Sequence, residues 1–443
     1  MIRVLKAEPP FVEIAAIMHA AASADPELER TVREIVDDVG ARGDAALLEY
    51  TRRFDLVDVQ TVSELAVSAE ELRAAAETLD PQLLATMERA ADQIRTFHER
   101  QVERGFLELH PDGTLLGQRV LPLSTVGVYV PGGRAAYPSS VLMNVIPARV
   151  AGVDRVVMVT PAPGGVVNPA VLAAAHIAGV TELYQVGGAQ AVAALAHGTA
   201  TIQRVDKIVG PGNRWVAEAK RQLYGRVDID MIAGPSEILV IADDSADARQ
   251  VAADLIGQAE HDPDAISWLV TTSEALADTI PAELDRLLTK NPRREIARAA
   301  LENHGLILIV SSLAAAAEAA NMRAPEHLEL LVREPMALAG SIRNAGAIFM
   351  GTFSPEPVGD YFAGPNHVLP TGGTARWASP LGVYDFIKRT SLIGYSRERL
   401  QEHAPDVIRF AEAEGLHGHA EAIRVRLAAA RENQPQLDDG MTT

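Results

Sequence analysis

The chain contains no cysteine among its 443 residues. Disulfide bonds, thiolate metal ligands and a cysteine nucleophile are therefore excluded, whatever the compartment. Any metal site must use imidazole nitrogen together with carboxylate or amide oxygen.

Positive charge is also in short supply. Lys and Arg total 40 against 59 Asp and Glu, which gives a net charge of −19. A field of that sign repels phosphate backbones, so nucleic acid is not expected as a partner. An anionic cofactor is not excluded, because backbone amides and helix N-termini can hold one locally.

Long uninterrupted apolar runs are missing as well. The most apolar stretch, 171–201, is broken by His176, Glu182 and His197, which predicts buried α/β segments rather than a membrane span. Charged residues and prolines also interrupt the first 27 residues, so we expect no signal peptide. The sequence predicts a soluble, cytoplasmic protein.

The patterning changes along the chain. From Pro26 to Arg104 apolar residues recur three and four apart, which predicts helices. From about Ser124, and again beyond AGPSEILVIAD, short apolar runs alternate with small-residue helices, the pattern of βαβ units and parallel sheets. After Pro380 we expect polar helical segments without strands, and 432–443 is typical of a disordered tail.

Several fragments offer metal ligands. Gln258 and His261 lie three apart at the end of a predicted helix, on one face, and Asp360 follows in a Gly- and Pro-rich loop. With a second histidine these N and O donors suit zinc, and manganese is the alternative. A solvated helix end also explains the Gln258–His261 pair.

The fragment RAPEHLELL places a carboxyl group beside an imidazole. We expect Pro325 to begin a helix, with Glu326 and His327 in its first turn. The helix dipole there favours an ionised Glu and a neutral His, a pair suited to abstracting protons from an alcohol and from water. A capping Glu beside a partly buried His is the alternative.

Two further fragments carry histidines. His367 lies in the predicted loop VGDYFAGPNHVLPTGG, from which it could contact a substrate. AEGLHGHAEAI places Glu414, His417 and His419 within six residues, although a solvated helix start fits this fragment too.

The G-x-G-x-x-G fingerprint of dinucleotide sites is also lacking. VYVPGG, QVGGAQA and VGPGN instead place glycines where strands are predicted to end. Backbone amides there could approach a pyrophosphate, or the glycines could simply form tight turns. The residues alone therefore indicate a metal enzyme on an α/β scaffold.

Taken together, the motifs resemble those of the histidinol dehydrogenase family, from about residue 25 to residue 430. The order and spacing of that family are matched by VGVYVPGGRAAYPSSVLMN, QVGGAQAVAALAHGT, KIVGPGN, DMIAGPSEILVIAD, GQAEHDPDA, APEHLEL, GDYFAGPNHVLPTGGTAR and EGLHGHAEAI.

The resemblance implies an α/β fold of two Rossmann-like three-layer α/β/α domains, aldehyde dehydrogenase-like, one inserted in the other, with small helical terminal extensions. We expect an N-terminal arm over 1–24 and a larger domain, with the metal and acid–base residues, over 25–128 plus 237–381. An inserted domain contacting NAD would span 129–236. A C-terminal helical dimerisation extension with a disordered tail would span 382–443.

The resemblance also implies residue roles. One zinc per subunit would be held by Gln258, His261, Asp360 and, from the partner subunit of a homodimer, the residue matching His419. Glu326 and His327 match the acid–base pair. Substrate contacts would come from Ser236, Gln258, His261, His327, Asp360, His367, Glu414 and His419, and NAD contacts from Tyr129, Gln190 and Asn213.

The implied reaction is the four-electron oxidation of L-histidinol to L-histidine through L-histidinaldehyde, with two NAD molecules reduced, at the end of histidine biosynthesis. Without cysteine, a thiohemiacetal is excluded and the aldehyde must react as a hydrate. The alternatives are a paralogous NAD-dependent dehydrogenase of another polyol or amino alcohol, such as sulfopropanediol, a zinc hydrolase, and a catalytically silent binding protein.

Overall fold

The computed structural model describes residues 2–18, 25–132 and 136–432. Its strands are β1 Arg3–Lys6, β2 Ala66–Val67, β3 Phe106–Leu109, β4 Leu115–Pro122, β5 Thr125–Tyr129, β6 Arg155–Val159, β7 Glu182–Tyr184, β8 Lys207–Val209, β9 Asp228–Ile229, β10 Glu237–Ala242, β11 Ile266–Thr271, β12 Leu306–Ile309, β13 His327–Leu331, β14 Ala347–Met350 and β15 Ile387–Gly394.

The helices fall between these strands and after the last of them. They are α1 Ala15–Met18, α2 Pro26–Arg42, α3 Asp44–Phe54, α4 Ala69–Thr78, α5 Pro81–Glu99, α6 Pro138–Ala151, α7 Pro169–Ala178, α8 Gly188–His197, α9 Arg214–Leu223, α10 Ala248–Ala259, α11 Glu274–Leu288, α12 Arg294–His304, α13 Leu313–Arg323, α14 Pro335–Ala339, α15 Glu356–Tyr361, α16 Arg397–Ala413 and α17 His417–Glu432.

One six-stranded sheet, here called the β10 sheet, has the order β1-β12-β11-β10-β13-β14, with every pair parallel. Apolar residues alternate across it: Ile238 and Val240 of β10 pack under α10–α12, and Leu239 and Ile241 face α13. Both faces are thus covered, as a parallel sheet requires.

The other six-stranded sheet, the β5 sheet, has the order β2-β7-β6-β5-β8-β9 and is parallel apart from the β2–β7 pair. Helices α4–α7 cover one face, and α2, α3, α8 and α9 cover the other. The predicted α/β class with parallel, helix-covered sheets is confirmed.

Both six-stranded sheets lie in one compact unit, formed by the described residues up to Val102 and from Pro122 to Phe386. A second unit comprises Glu103–Leu121 and the described residues from Ile387 onward. It contains the sheet β15-β4-β3 and the helices α16 and α17.

The expectation of a strandless, helical region after Pro380 is wrong. The eight residues of β15, IKRTSLIG, form a strand that is exposed or half-buried along its length. Because several of these residues are polar, the segment has no apolar run from which a strand could be predicted. The predicted tail beyond Glu432 and most of residues 18–24 lie outside the described residues, and the proposed domain boundaries stay a prediction.

Candidate active site

The order in which strands are added to the β10 sheet reverses at its centre. β10 comes first along the chain of its four central strands, β11 and β12 follow on one side, and β13 lies on the other. At this switch point Ile238 pairs with His327, so Glu237 and His327 begin neighbouring parallel strands. The candidate catalytic residues therefore lie at the amino edge of this sheet.

The His327 ring has a defined tautomer. Its Nδ1 lies 3.1 Å from the carbonyl oxygen of Glu237, which can only accept, so Nδ1 carries the hydrogen. Burial lowers the pKa of His327 to about 3, which keeps the ring neutral. Nε2 is buried, has no hydrogen-bond partner within the described residues, and offers a free lone pair.

Glu326 is held by the same strand start. Its Oε2 accepts the Glu237 N–H at 2.8 Å and lies 3.6 Å from His327 Nδ1. Burial raises the pKa of Glu326 well above its usual value. One residue, Glu237, thus orients both members of the pair through its backbone.

The expectation of a helix beginning at Pro325 is wrong. Ala324 adopts a left-handed conformation (φ 53°) after α13, and His327 is the first residue of a central strand. No helix dipole acts on Glu326, and its buried position favours the protonated form rather than the ionised form that we expected. Pairing with β10 and β14 outweighed the local Pro-Glu signal.

Next to His327 the structure gathers a candidate metal cluster. One ligand atom each of His261, Glu356 and Asp360 lies within 4.8 Å of the others. His327 Nε2 lies 3.9 Å from both Glu356 Oε1 and Asp360 Oδ1. The buried Gln258 presents its amide to Glu356, at 3.0 and 3.2 Å from the two carboxylate oxygens when its nitrogen faces them.

The electrostatics of this cluster suit a cation. Burial raises the pKa of Asp360 to about 6, and burial followed by Asp360 raises that of Glu356 well above its usual value. The His261 ring is exposed, yet desolvation by its surroundings still lowers its pKa. A bound dication would favour two carboxylates and a neutral imidazole, and these N and O donors fit zinc.

Sequence reasoning missed Glu356 and the two carboxyls behind it. Glu356 and Asp360 are four apart on α15, so a helical-face signal was present, but that segment was taken for loop. The carboxyls of Glu329 on β13 and Asp254 on α10 lie next to each other, and burial raises the pKa of Glu329 to about 9 and that of Asp254 to about 6.

Two predicted substrate contacts lie in loops of the same unit. His367 is half-buried, its Nε2 has no hydrogen-bond partner in the described chain, and burial lowers its pKa to about 4. Ser236 is half-buried one residue before β10. His98 is fully buried, and its Nε2 lies 3.4 Å from the Asn366 side chain.

The predicted cofactor contacts lie at the carboxyl edge of the β5 sheet. There β5 comes first of the central strands, β6 and β7 follow on one side, and β8 lies on the other. Ligands of open α/β sheets bind outside the carboxyl ends at such a switch point. Tyr129 ends β5, and the turn after β8 leads to Asn213, the N-cap of α9.

Backbone groups dominate this edge. The Tyr129 hydroxyl accepts the Gly188 N–H at 3.1 Å, at the start of α8, and Gln190 is buried in the first turn of that helix. Gly210 has φ +107°, and a Cβ there would lie 2.1 Å from the Tyr129 carbonyl oxygen. The turns can therefore present amides to a pyrophosphate without side chains in the way.

A buried ion pair fixes the turn after β8. Lys220 and Asp230 are in contact, with side chains 2% and 1% exposed. Lys220 Nζ donates to the Gly210 carbonyl at 3.0 Å, and Asp230 Oδ2 accepts the Gly210 N–H at 2.7 Å. The backbone N–H and C=O of Gly210 are thus both hydrogen-bonded to side chains.

Glu414 and His419 belong to the second unit. Glu414 is the C-cap of α16, and His419 lies in the first turn of α17, beginning at His417. All three side chains are exposed. The contribution of Glu414 and His419 to a neighbouring subunit's site stays a prediction.

Comparison with known proteins decides the family. The family model described as histidinol dehydrogenase matches residues 18–427. The chain belongs to the histidinol dehydrogenase family. The histidinol dehydrogenase of Bacillus subtilis strain 168 is 54% identical over 402 residues, 90% of this chain and 93% of that protein.

Other members agree. The histidinol dehydrogenase of Aquifex aeolicus strain VF5 is 54% identical over 402 residues, 91% of this chain and 93% of that protein. The crystal structure of histidinol dehydrogenase from Elizabethkingia anophelis superposes with a TM-score of 0.90 at 35% identity, covering 97% of this chain and 99% of that one.

Membership of the histidinol dehydrogenase family makes the chain an oxidoreductase and confirms the resemblance noted in its motifs. Within the described ranges, no helix is both long enough and apolar enough to cross a membrane.

Proposed function

We propose that the chain oxidises L-histidinol to L-histidine through L-histidinaldehyde, with NAD as the oxidant and zinc in the cluster of Gln258, His261 and Asp360. The observation that carries this proposal is the neutral His327, whose free Nε2 lies 3.9 Å from Asp360 of that cluster while its Nδ1 lies 3.6 Å from Glu326. A base next to a cation site is what removal of a proton from a bound alcohol needs.

Zinc would orient the amino alcohol through its nitrogen atoms, and NAD would accept a hydride in each oxidation. The proton transfers are carried out by side chains of the protein. In the first oxidation His327 Nε2 accepts the hydroxyl proton, while its Nδ1–H remains bonded to the Glu237 carbonyl.

The second oxidation needs water. In its ionised form Glu326 accepts a proton from the water that adds to the aldehyde, and its raised pKa makes that carboxylate a stronger base than an ordinary one. His327, after releasing its first proton to solvent, takes the hydroxyl proton of the hydrate as it took that of the alcohol. No cysteine is available for a covalent route.

The remaining contacts complete the proposal. Ser236 and the free Nε2 of His367 contact substrate, and Tyr129, Gln190 and Asn213 contact NAD. Glu414 and His419 serve the neighbouring subunit of a homodimer, with His419 as its fourth zinc ligand.

NADH formation with limiting L-histidinol and excess NAD tests the proposal. Two NADH per histidinol are expected from zinc-loaded protein. One NADH with accumulated aldehyde contradicts the role given to Glu326. No NADH from folded, zinc-replete protein rejects the substrate, and activity on alcohols without an imidazole ring would favour a paralogous dehydrogenase.

A further inference from the structure

Glu329 is a carboxyl group in the middle of a central strand. It is 0% exposed, on the same face of β13 as His327, where a parallel sheet ordinarily carries an apolar residue. Burying a carboxyl there is costly unless it is hydrogen-bonded. The proposed chemistry gives it no role, because the acid–base pair is Glu326 and His327.

One partner of Glu329 is the helix that carries two members of the metal cluster. Its Oε1 accepts the backbone N–H of Glu356 at 2.8 Å. Glu356 is the first residue of the six-residue α15, and the preceding Pro355 provides no side-chain cap. Glu329 therefore supplies, from a sheet strand, the acceptor that a helix start otherwise obtains from its own N-cap.

The other partner of Glu329 lies on α10. The Asp254 carboxyl lies next to that of Glu329, whose Oε2 has no other hydrogen-bond partner in the described chain. Gln258, one turn further along α10, faces the Glu356 carboxylate. These contacts form a ring that one turn of α10 closes: Asp254 to the Glu329 carboxyl, Glu329 to the Glu356 N–H, and the Glu356 carboxylate to Gln258.

Resting on the proposed function, we propose that Glu329 is a positioning residue for the metal site. It sets the start of α15 and, with Asp254, its distance from α10, so that Gln258 near the end of α10, His261 just beyond it, and Asp360 from α15 converge on one cation. Partners of this kind behind metal ligands change metal affinity by about 10–100-fold when they are removed.

Zinc affinity, measured by competition with a chromophoric chelator, is the test. Glu329→Leu is expected to weaken zinc binding by about 10–100-fold. Glu329→Gln keeps an oxygen for the Glu356 N–H and an NH₂ group for Asp254, so it is expected to stay within about threefold. Leu330→Ala, fully buried on the opposite face of the same strand, is the control for lost stability alone.

Two outcomes overturn the inference. Glu329→Leu that binds zinc as the wild type does, with stability lowered as in Leu330→Ala, leaves only a structural role. Glu329→Gln that loses as much affinity as Glu329→Leu rejects the hydrogen-bond ring. A wild type that binds no zinc overturns the proposed function instead, and this inference with it.

A second variant covers the case in which Glu329→Leu does not fold. Asp254 is half-buried on a helix, and Asp254→Ala removes the partner of Glu329 without leaving an unpaired charge in the sheet. We expect a loss of zinc affinity of about tenfold. Affinity within twofold of the wild type would overturn the ring.

Discussion

The two sheet edges that carry the candidate sites differ in the groups that they present: one presents ionisable side chains and the other presents backbone amides. At the amino edge of the β10 sheet, ionisable side chains are buried together and their pKa values are displaced. At the carboxyl edge of the β5 sheet, glycine turns present backbone groups, held by Tyr129 and by the Lys220–Asp230 pair. Acid–base chemistry needs titratable groups, whereas a pyrophosphate needs amides and space.

The largest loss of turnover is expected from a change at His327, at the amino edge of the β10 sheet. His327→Asn removes the free Nε2 while leaving the β5 edge intact, so turnover should fall by about 10²–10⁴-fold. Cofactor affinity, measured by the fluorescence of bound NADH, should not change. His304→Asn, a half-exposed histidine on α12, is the matched control. Unchanged turnover in His327→Asn would remove His327 from the mechanism.

The next effect separates the two half-reactions. Glu326→Gln cannot accept a proton from water, so oxidation of supplied L-histidinaldehyde should fall by about 10²-fold or more. Oxidation of histidinol to the aldehyde should fall less, because His327 takes that proton. Single-turnover kinetics with each substrate would show the difference, and equal losses would count against a role in hydration.

A change at the other edge should affect the cofactor alone. Gly210→Ala forces a methyl group to within 2.1 Å of the Tyr129 carbonyl at φ +107°, so the turn after β8 must shift. We expect the KM for NAD to rise by about tenfold, roughly 1.4 kcal/mol, with zinc affinity unchanged.

Gly225→Ala is the control for this experiment. It also changes a glycine with positive φ, +97°, next to the same sheet, but its Cβ would meet nothing within 4 Å. A rise in KM that is equal in both variants would show that strain, not the turn after β8, is responsible.

The smallest effect concerns stability without metal. The pKa of Asp360 is about 6 in the folded chain against 3.8 for a fully exposed aspartate, so the native state keeps the Asp360 proton to higher pH than the unfolded state does. Stability should therefore fall as pH rises from about 4 to 6. Asp360→Asn should remove a penalty of about 1–3 kcal/mol at neutral pH.

Urea unfolding of the metal-free proteins checks this sign. The stability difference between Asp360→Asn and wild type should grow between about pH 4 and pH 7 and then stay level. In excess zinc the order should reverse, because the wild type binds the ion more tightly. A difference that is independent of pH would mean that the Asp360 carboxyl is not displaced.

Sequence patterns predicted much of the fold because many segments obey strong local rules. Asp80 and Pro81 begin α5 as an N-cap and first helical residue, and the apolar runs of β5, β6, β10 and β11 are buried central strands. β15 was not predicted because several of its residues are polar.

The candidate site was less predictable, for two physical reasons. Glu237 acts through its backbone N–H and C=O, and a backbone group has no residue-type signature. Glu329 and Asp254 are 75 residues apart and meet only after α10 packs on β13, so no local spacing announces the pair. Gln258 and His261, by contrast, are three apart in sequence, and their grouping could be predicted.

The pairing of β1 with β12 has a consequence for the order in which the chain folds. The central strands of the β5 sheet are contained within residues 125–229, whereas Arg3–Lys6 at one edge of the β10 sheet pair with Leu306–Ile309. During synthesis the β5 sheet can assemble while β1 is still unpaired, because its partner β12 lies about three hundred residues further along the chain. We expect nascent chains to expose that first strand to chaperones longest.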